Sequence, residues 1–144
     1  MNNLMKIFYH FKKKCQIGQN DSYICSLIRE DSVEEFISYI NRNNLSLLST
    51  INKSVYETNS FLINKQPTLI EYASFFGSIQ IIRYLKYNKV PLTSSLWLYV
   101  IHSNNAELIH FLEENEVKPK LKKTYSFLFE KGYNETKKEK SQFD

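Results

Sequence analysis

The feature that most constrains the fold of this chain is a short pattern that occurs three times, around Asp31, Gly77 and Asn104. Gly77 stands 46 residues after Asp31 and 27 residues before Asn104. Aligning the three sites brings four columns of residues into register: Ile24, Ile70 and Trp97; Leu27, Ala73 and Val100; Asp31, Gly77 and Asn104; and Phe36, Ile82 and Ile109. Such self-similarity predicts a stack of like units, and a stack offers a surface for binding.

The third column contains the residue types that adopt positive φ most readily. Glycine has no Cβ, and the short polar side chains of Asn and Asp offset part of the strain. A left-handed residue commonly ends a helix. The residues that follow the column are all preferred N-cap types for a second helix: Ser32, Ser78 and Asn105. Each unit is therefore predicted to be a helix, a tight turn and another helix.

Apolar residues recur with helical spacing on both sides of these turns. Thr68 and Glu71 form a capping box directly after Pro67, which marks the start of a helix, and Ser32 and Glu35 have the same spacing. Only three Gly and three Pro occur in 144 residues, which argues against many tight hairpins. The sequence thus predicts an all-α fold.

The run T-L-I-E-Y-A-S-F-F-G-S-I-Q-I-I-R-Y-L, residues 68–85, resembles the ankyrin-repeat pattern T-P-L-H-x-A-A-x-x-G-H-x-x-I-V-x-x-L-L. Residues 95–112 form a weaker copy. Together with the segments that begin at Asp31 and Tyr56, they make the chain similar to a group of ankyrin-like domain-of-unknown-function proteins of parasitic protists. The resemblance covers about residues 22–117. It implies a short helical solenoid of antiparallel helix pairs stacked side by side.

The chain departs from the ankyrin pattern in several places. Leu69 stands where the family has Pro, and Glu71 stands where it has His. An ankyrin repeat has about 33 residues, so the spacings of 46 and 27 indicate an insert in the first connection and a shortened second one. We expect the hairpin-like fingers of the family to be reduced or absent.

Composition and the resemblance together divide the chain into three parts. We expect an amphipathic N-terminal capping helix in residues 1–20, an ankyrin-like repeat domain in residues 21–132 with an insert at about 41–66, and a polar C-terminal tail in residues 133–144.

The insert is too apolar for a free loop, and a long connection without structure is unusual in a compact domain. We expect a short helix near residues 45–52 and a second short apolar segment near 55–63. A further helix is expected at residues 121–129, ending at Gly132.

The N-terminal segment combines an apolar helical face with a basic fringe. The residues are Leu4, Ile7, Phe8 and Phe11 on the face, with Lys6, Lys12, Lys13 and Lys14 around it. Besides capping the stack, such a helix could lie on an anionic membrane surface or dock on a partner, or the segment could be a disordered arm. No apolar run approaches the ~18 residues of a membrane-spanning helix.

Catalytic and metal sites are not predicted. Three glycines in the whole chain leave no phosphate-binding loop, and the three histidines form no metal-ligand motif. Cys15 and Cys25 form no C-x-x-C pair and no disulfide framework, which favours a reducing compartment. We therefore expect an intracellular, cytoplasmic protein that is not an enzyme and needs no cofactor.

In the ankyrin family, the two residues before the turn usually point toward partners. By that resemblance, the partner-contacting residues are Arg29, Glu30, Phe75, Phe76, His102 and Ser103. Phe76 also falls on the apolar face of its helix, which favours a core position for it.

The function expected from the resemblance is a protein-protein interaction module or adaptor. The alternative is a structural or self-associating subunit of a larger assembly, because solenoids with few units are marginally stable. A weaker alternative is binding to nucleic acid or to a membrane surface. The net charge of +4 is small and accompanies no recognised nucleic-acid-binding motif.

Overall fold

The structure, a computed structural model, describes residues 2–120. This part of the chain contains helices and no strand, which confirms the all-α prediction for the described residues. In chain order the helices are α1 (Asn3–Ile17), α2 (Tyr23–Arg29), α3 (Val33–Arg42), α4 (Ser60–Ile63), α5 (Leu69–Phe76), α6 (Ile79–Tyr87), α7 (Leu96–Ser103) and α8 (Ala106–Glu114). The helix predicted at residues 121–129 and the tail at 133–144 lie outside the described residues.

Six of the helices form three consecutive pairs, α2 with α3, α5 with α6, and α7 with α8. A left-handed residue stands between the members of each pair. The φ angle is 52° at Asp31, 71° at Gly77 and 49° at Asn104. None of the three lies inside a helix, so the predicted chain reversal is found at all three sites.

The first helices of the pairs lie side by side, because α5 contacts both α2 and α7. Among the second helices, α3 contacts α6. The pairs share one apolar core, whose largest fully buried side chains include Ile28, Phe36, Tyr72, Ile81, Ile82, Leu85, Leu96, Val100, Leu108 and Leu112. Burial of this shared core is the main force that holds the pairs together.

The Asp31 side chain joins the first turn to the second helix pair. Its carboxylate oxygens accept hydrogen bonds from the backbone N–H groups of Gln80 and Ile81, at 3.1 and 3.0 Å. Both amides belong to the first turn of α6, where a helix has no acceptors of its own. Asp31 therefore caps a helix that begins about fifty residues further along the chain.

The next pair of turns is joined in a similar way. The Asn105 Nδ2 group donates to the carbonyl of Gly77 at 3.4 Å. A Cβ added at Gly77 would lie 3.1 Å from Asn105 Nδ2 and 3.4 Å from Ser103 Cβ. Gly77 thus meets two requirements at once, positive φ and a close approach of the following turn.

The structure corrects the N-cap role predicted for two serines. Ser32 and Ser78 occupy the N-cap positions of α3 and α6, but neither side chain accepts a hydrogen bond from its helix. The Ser78 hydroxyl donates instead to the carbonyl of Ile28, in the preceding pair. Asn105 does act as an N-cap, since its Oδ1 accepts from the N–H of Leu108 at 3.2 Å.

The two predicted capping boxes have different outcomes. At the start of α5, Thr68 Oγ1 accepts from the N–H of Glu71, and the Glu71 carboxylate accepts from the N–H of Thr68 at 3.0 Å. The box predicted from Ser32 and Glu35 is wrong, because the Ser32 side chain makes no capping bond.

The helix predicted near residues 45–52 is wrong. The end of this segment runs antiparallel to the residues before α5: the Ile51 N–H donates to the Pro67 carbonyl at 2.7 Å, and the Leu69 N–H donates to the Ser49 carbonyl at 3.1 Å. The backbone therefore finds partners across the chain, and a helix is not needed to satisfy it.

The apolar segment predicted near residues 55–63 contains the short helix α4. The Asn59 side chain caps this helix, accepting from the N–H groups of Phe61 and Leu62. Leu62 is buried in the shared core and Phe61 packs against it. The insert thus adds a small helical element to the stack of pairs.

Helix α1 packs differently from the others, because none of its side chains is buried. It ends at Gly18, and near that end the Lys14 ammonium pairs with Asp21 at 2.8 Å and the Phe11 ring meets the Tyr56 ring edge-on. A capping helix would bury its apolar face. The capping role therefore stays a prediction.

Substitution of Asp31 separates the two contributions of this residue. Asp31→Gly removes the acceptor for the α6 amides and keeps the left-handed backbone accessible, so the lost hydrogen bonds should cost about 1 kcal/mol in the free energy of unfolding. Asp31→Ala removes the acceptor and also strains the turn, so we expect a loss of about 2 kcal/mol. Urea denaturation, monitored by circular dichroism, measures the free energy of unfolding of both variants. A loss below about 0.5 kcal/mol in both variants would contradict the capping role.

Candidate functional site

The residues predicted to contact partners occupy the C-terminal ends of α2, α5 and α7. Because α5 lies between the other two helices, these ends form one edge of the helical layer. The residues are Arg29 and Glu30 at α2, Phe75 and Phe76 at α5, and His102 and Ser103 at α7.

An aromatic cluster forms where α5 and α7 meet, and we define it as Phe61, Phe75, Phe76, Tyr99 and His102. The Phe75 ring stacks on His102 with 4.8 Å between centroids, and it meets Phe76 edge-on at 4.9 Å. Phe61 of α4 lies 4.5 Å from His102 and 5.1 Å from Tyr99. Distances of this size are favourable for aromatic pairs, so the rings hold one another in place.

The aromatic cluster is partly core and partly surface. Tyr99 is buried, whereas Phe61, Phe75, Phe76 and His102 are half-buried. The three phenylalanines pack against the apolar core on one side. A ring that is fixed by packing and still accessible loses little conformational freedom on binding, which is the property of an interface anchor.

Phe61, the member of the cluster that comes from the insert, is not among the residues that the sequence predicts to contact partners. Its position depends on the fold, because α4 is brought against α5 and α7 from a different part of the chain. A local signal was present: Asn59 is a preferred N-cap type and precedes the apolar run that begins with Phe61. The Lys65 ammonium lies 5.9 Å from the Phe61 ring and places a positive charge beside the cluster.

Arg29 is held by the structure and does not extend freely into solvent. Its Nη1 donates to the Tyr72 hydroxyl at 2.8 Å and to the Asn20 carbonyl at 2.9 Å, which ties α2 to α5. Glu30 is exposed beyond the end of α2. Ser103 is half-buried, and its hydroxyl donates to the backbone of its own helix at 2.7 Å.

Burial controls the ionisation of the groups behind the aromatic cluster. It raises the pKa of the Tyr72 and Tyr99 phenols above the ordinary value of 10.0, and the nearby Glu71 carboxylate raises the pKa of Tyr99 further. Burial also raises the pKa of the Cys25 thiol. Cys25 is therefore held as a thiol, the form that is a poor nucleophile.

The described residues offer little for cofactor or substrate chemistry. Within residues 2–120, no group of three or more His, Cys, Asp or Glu side chains could hold a metal ion. A cavity of about 70 Å³ lies between the insert and α5, lined in part by Asn20, Ile51, Leu62 and Tyr72. Pockets for small-molecule ligands usually have about 300–1,000 Å³, so this one is too small for such a ligand.

Comparison of the chain with protein-family models, with curated proteins and with solved structures finds no match. Among residues 2–120, none of the helices combines the length and the apolar character needed to cross a bilayer.

Phe75→Ala tests how much of the fold depends on the aromatic cluster. Because Phe75 is half-buried, we expect a loss of about 2 kcal/mol in the free energy of unfolding, with folding retained. Phe36 is 0% exposed, so Phe36→Ala is the matched core control and should cost about 3–5 kcal/mol. Thermal denaturation compares the two. Equal losses would identify Phe75 as a core residue.

The buried tyrosines predict a fall in stability at alkaline pH. Their pKa is higher in the folded chain than in the unfolded chain, so only the unfolded chain releases these protons as the pH rises above about 10. Between about pH 8 and about pH 11, the free energy of unfolding should fall by about 1 kcal/mol less in Tyr99→Phe than in the wild-type chain. Parallel urea titrations measure the difference, and identical wild-type and Tyr99→Phe profiles would contradict it.

Proposed function

We propose that this chain is a non-enzymatic protein-protein interaction module, built as a short ankyrin-like helical solenoid, and that its aromatic cluster contacts the partner. The observation that carries the proposal is the position of the cluster. Phe75, Phe76 and His102 come from two different turns, and they meet with accessible rings at the edge where the ankyrin resemblance predicts partner contacts.

The connections between the turns support the solenoid part of the proposal. Asp31 bonds to the start of α6, and Asn105 bonds to Gly77, so each turn is in register with the next. In a repeat protein each unit contacts its neighbours, and side-chain bonds that recur between successive turns are consistent with that architecture.

The residues of the aromatic cluster favour a partner that inserts an apolar side chain. The rings of Phe75 and His102 stack at 30°, and the Phe61 ring lies nearly parallel to that of Phe75, with 10° between the planes. Lys65 stands beside Phe61, so a carboxylate next to the apolar side chain would complement the positive charge. We therefore expect the partner to present an apolar residue flanked by an acidic one.

The ionisable groups near the aromatic cluster support a binding role over a catalytic one. Cys25 is buried and kept protonated. His110 pairs with Glu113 at 3.3 Å, and both side chains are exposed on α8. No cofactor is required by the proposed role.

Affinity capture with matched variants tests this function. The wild-type chain, Phe75→Ala and the control Val55→Ser are used as baits in an extract of the source cell, and bound proteins are quantified by mass spectrometry. Val55 is 90% exposed and lies outside the cluster, so its substitution should not change recovery. A hot-spot ring contributes about 2 kcal/mol or more, so Phe75→Ala should weaken binding of the purified partner roughly thirtyfold.

Two outcomes would contradict the proposed function. One is the recovery of no protein that depends on Phe75. The other is a sedimentation coefficient that rises with concentration and falls back in Phe75→Ala, because the aromatic cluster would then join copies of this chain and the self-associating alternative would hold.

A further inference from the structure

Helix α1 presents an apolar face that the other described residues leave open except at Phe11, which meets Tyr56. Leu4, Phe8, Phe11 and Cys15 follow one another at spacings of four, three and four, so they share one side of the helix. The large apolar side chains of α1 are between 52% and 63% exposed. They are Leu4, Met5, Ile7, Phe8, Tyr9, Phe11 and Ile17.

The same helix is strongly basic. It contains Lys6, Lys12, Lys13 and Lys14 and no acidic residue. Each residue advances a helix by about 100°, which places Lys12 and Lys14 on opposite borders of the apolar face. Lys14 is paired with Asp21, whereas the other three lysines form no ion pair within residues 2–120.

Among residues 2–120, the contacts that fasten α1 are at its C-terminal end. The Gly18 carbonyl accepts from both the N–H and the hydroxyl of Thr58, and Phe11 and Lys14 make the contacts with Tyr56 and Asp21. The turns that carry Leu4 and Phe8 have no ring contact and no ion pair with the other described elements.

We propose that α1 lies in the headgroup region of an anionic lipid bilayer, with its apolar face in the acyl boundary and its lysines on the lipid phosphates. A bilayer meets both chemical requirements of the helix at once. The apolar side chains leave water, Lys12 at the border of the face reaches a lipid phosphate, and the other lysines add to the positive charge of the helix. This inference does not depend on the proposed interaction module.

The charge of α1 makes a second copy of the chain a poorer occupant of this face. Two α1 helices paired through their apolar sides would bring lysine borders against lysine borders, and like charges at such an interface are repulsive.

A shaped groove in a partner protein would need acidic rims on both sides of a narrow channel. Tyr9 and Met5 extend the exposed apolar area beyond the line of Leu4 and Phe8, which suits a fluid surface better.

Co-sedimentation of the full chain with vesicles tests the proposal. Vesicles of phosphatidylcholine mixed with phosphatidylserine should bind the chain, vesicles of phosphatidylcholine alone should bind it far less, and added salt should weaken the binding. Each lysine near an anionic surface contributes roughly a fivefold gain in partitioning, so Lys12→Gln, at the border of the apolar face, should reduce binding roughly fivefold. The control Lys53→Gln has the same change in net charge and should have less than about a twofold effect.

A second pair of variants tests the apolar face. Leu4→Ser with Phe8→Ser should abolish sedimentation with the mixed vesicles, whereas Val55→Ser with Tyr87→Ser, which changes two exposed apolar residues elsewhere, should not. No side chain of α1 is buried, so all these variants should keep the wild-type unfolding temperature, which thermal denaturation checks.

Three results would overturn the proposal. The first is no binding to the mixed vesicles. The second is an equal loss of binding in the α1 variants and in their controls. The third is a lipid-free complex, either of two copies of the chain or with a captured protein, that depends on Leu4 and Phe8, because a protein would then be the occupant of this face.

Discussion

The structure depends on one backbone constraint, the left-handed residue that reverses the chain between the two helices of each pair. With Asp31, Gly77 and Asn104 at positive φ, α2, α5 and α7 each end at a chain reversal, α5 contacts both α2 and α7, and α3 contacts α6. The polar groups of these turns then bond to the neighbouring turns, which fixes the register between pairs. The aromatic cluster follows from this alignment, because Phe75 and His102 can stack only if α5 and α7 end together.

The sequence predicted the features that local chemistry decides. Positive φ at three positions is a property of Asp, Gly and Asn, and the capping box at Thr68 is closed by a residue only three positions away. Phe75, Phe76 and His102 were expected to contact partners because of the ankyrin resemblance, not because of local chemistry. Their assignment to a partner remains a prediction.

The features that the sequence did not predict are those that distant contacts decide. Ser78 is a preferred N-cap type, but its hydroxyl donates to the carbonyl of Ile28. The side chain of Asp31 caps α6 instead. The segment from Leu45 to Ile51 has helical apolar spacing. Its end nevertheless forms no helix, because the backbone groups of Ser49 and Ile51 bond to those of Leu69 and Pro67. Phe61 contacts the aromatic cluster because the insert brings α4 beside α7. No periodic pattern in the sequence predicts that path of the insert.

Amide hydrogen exchange at the first turns of α3 and α6 tests this account most directly. The N–H groups of Gln80 and Ile81 bond to Asp31, whereas those of Glu34 and Glu35, at the equivalent positions of α3, have no acceptor within residues 2–120. After correction for intrinsic rates, Gln80 and Ile81 should exchange at least about tenfold more slowly than Glu34 and Glu35. Equal exchange at the two helix starts would show that the turns are not bonded to one another, and it would contradict the account of how the pairs are held in register.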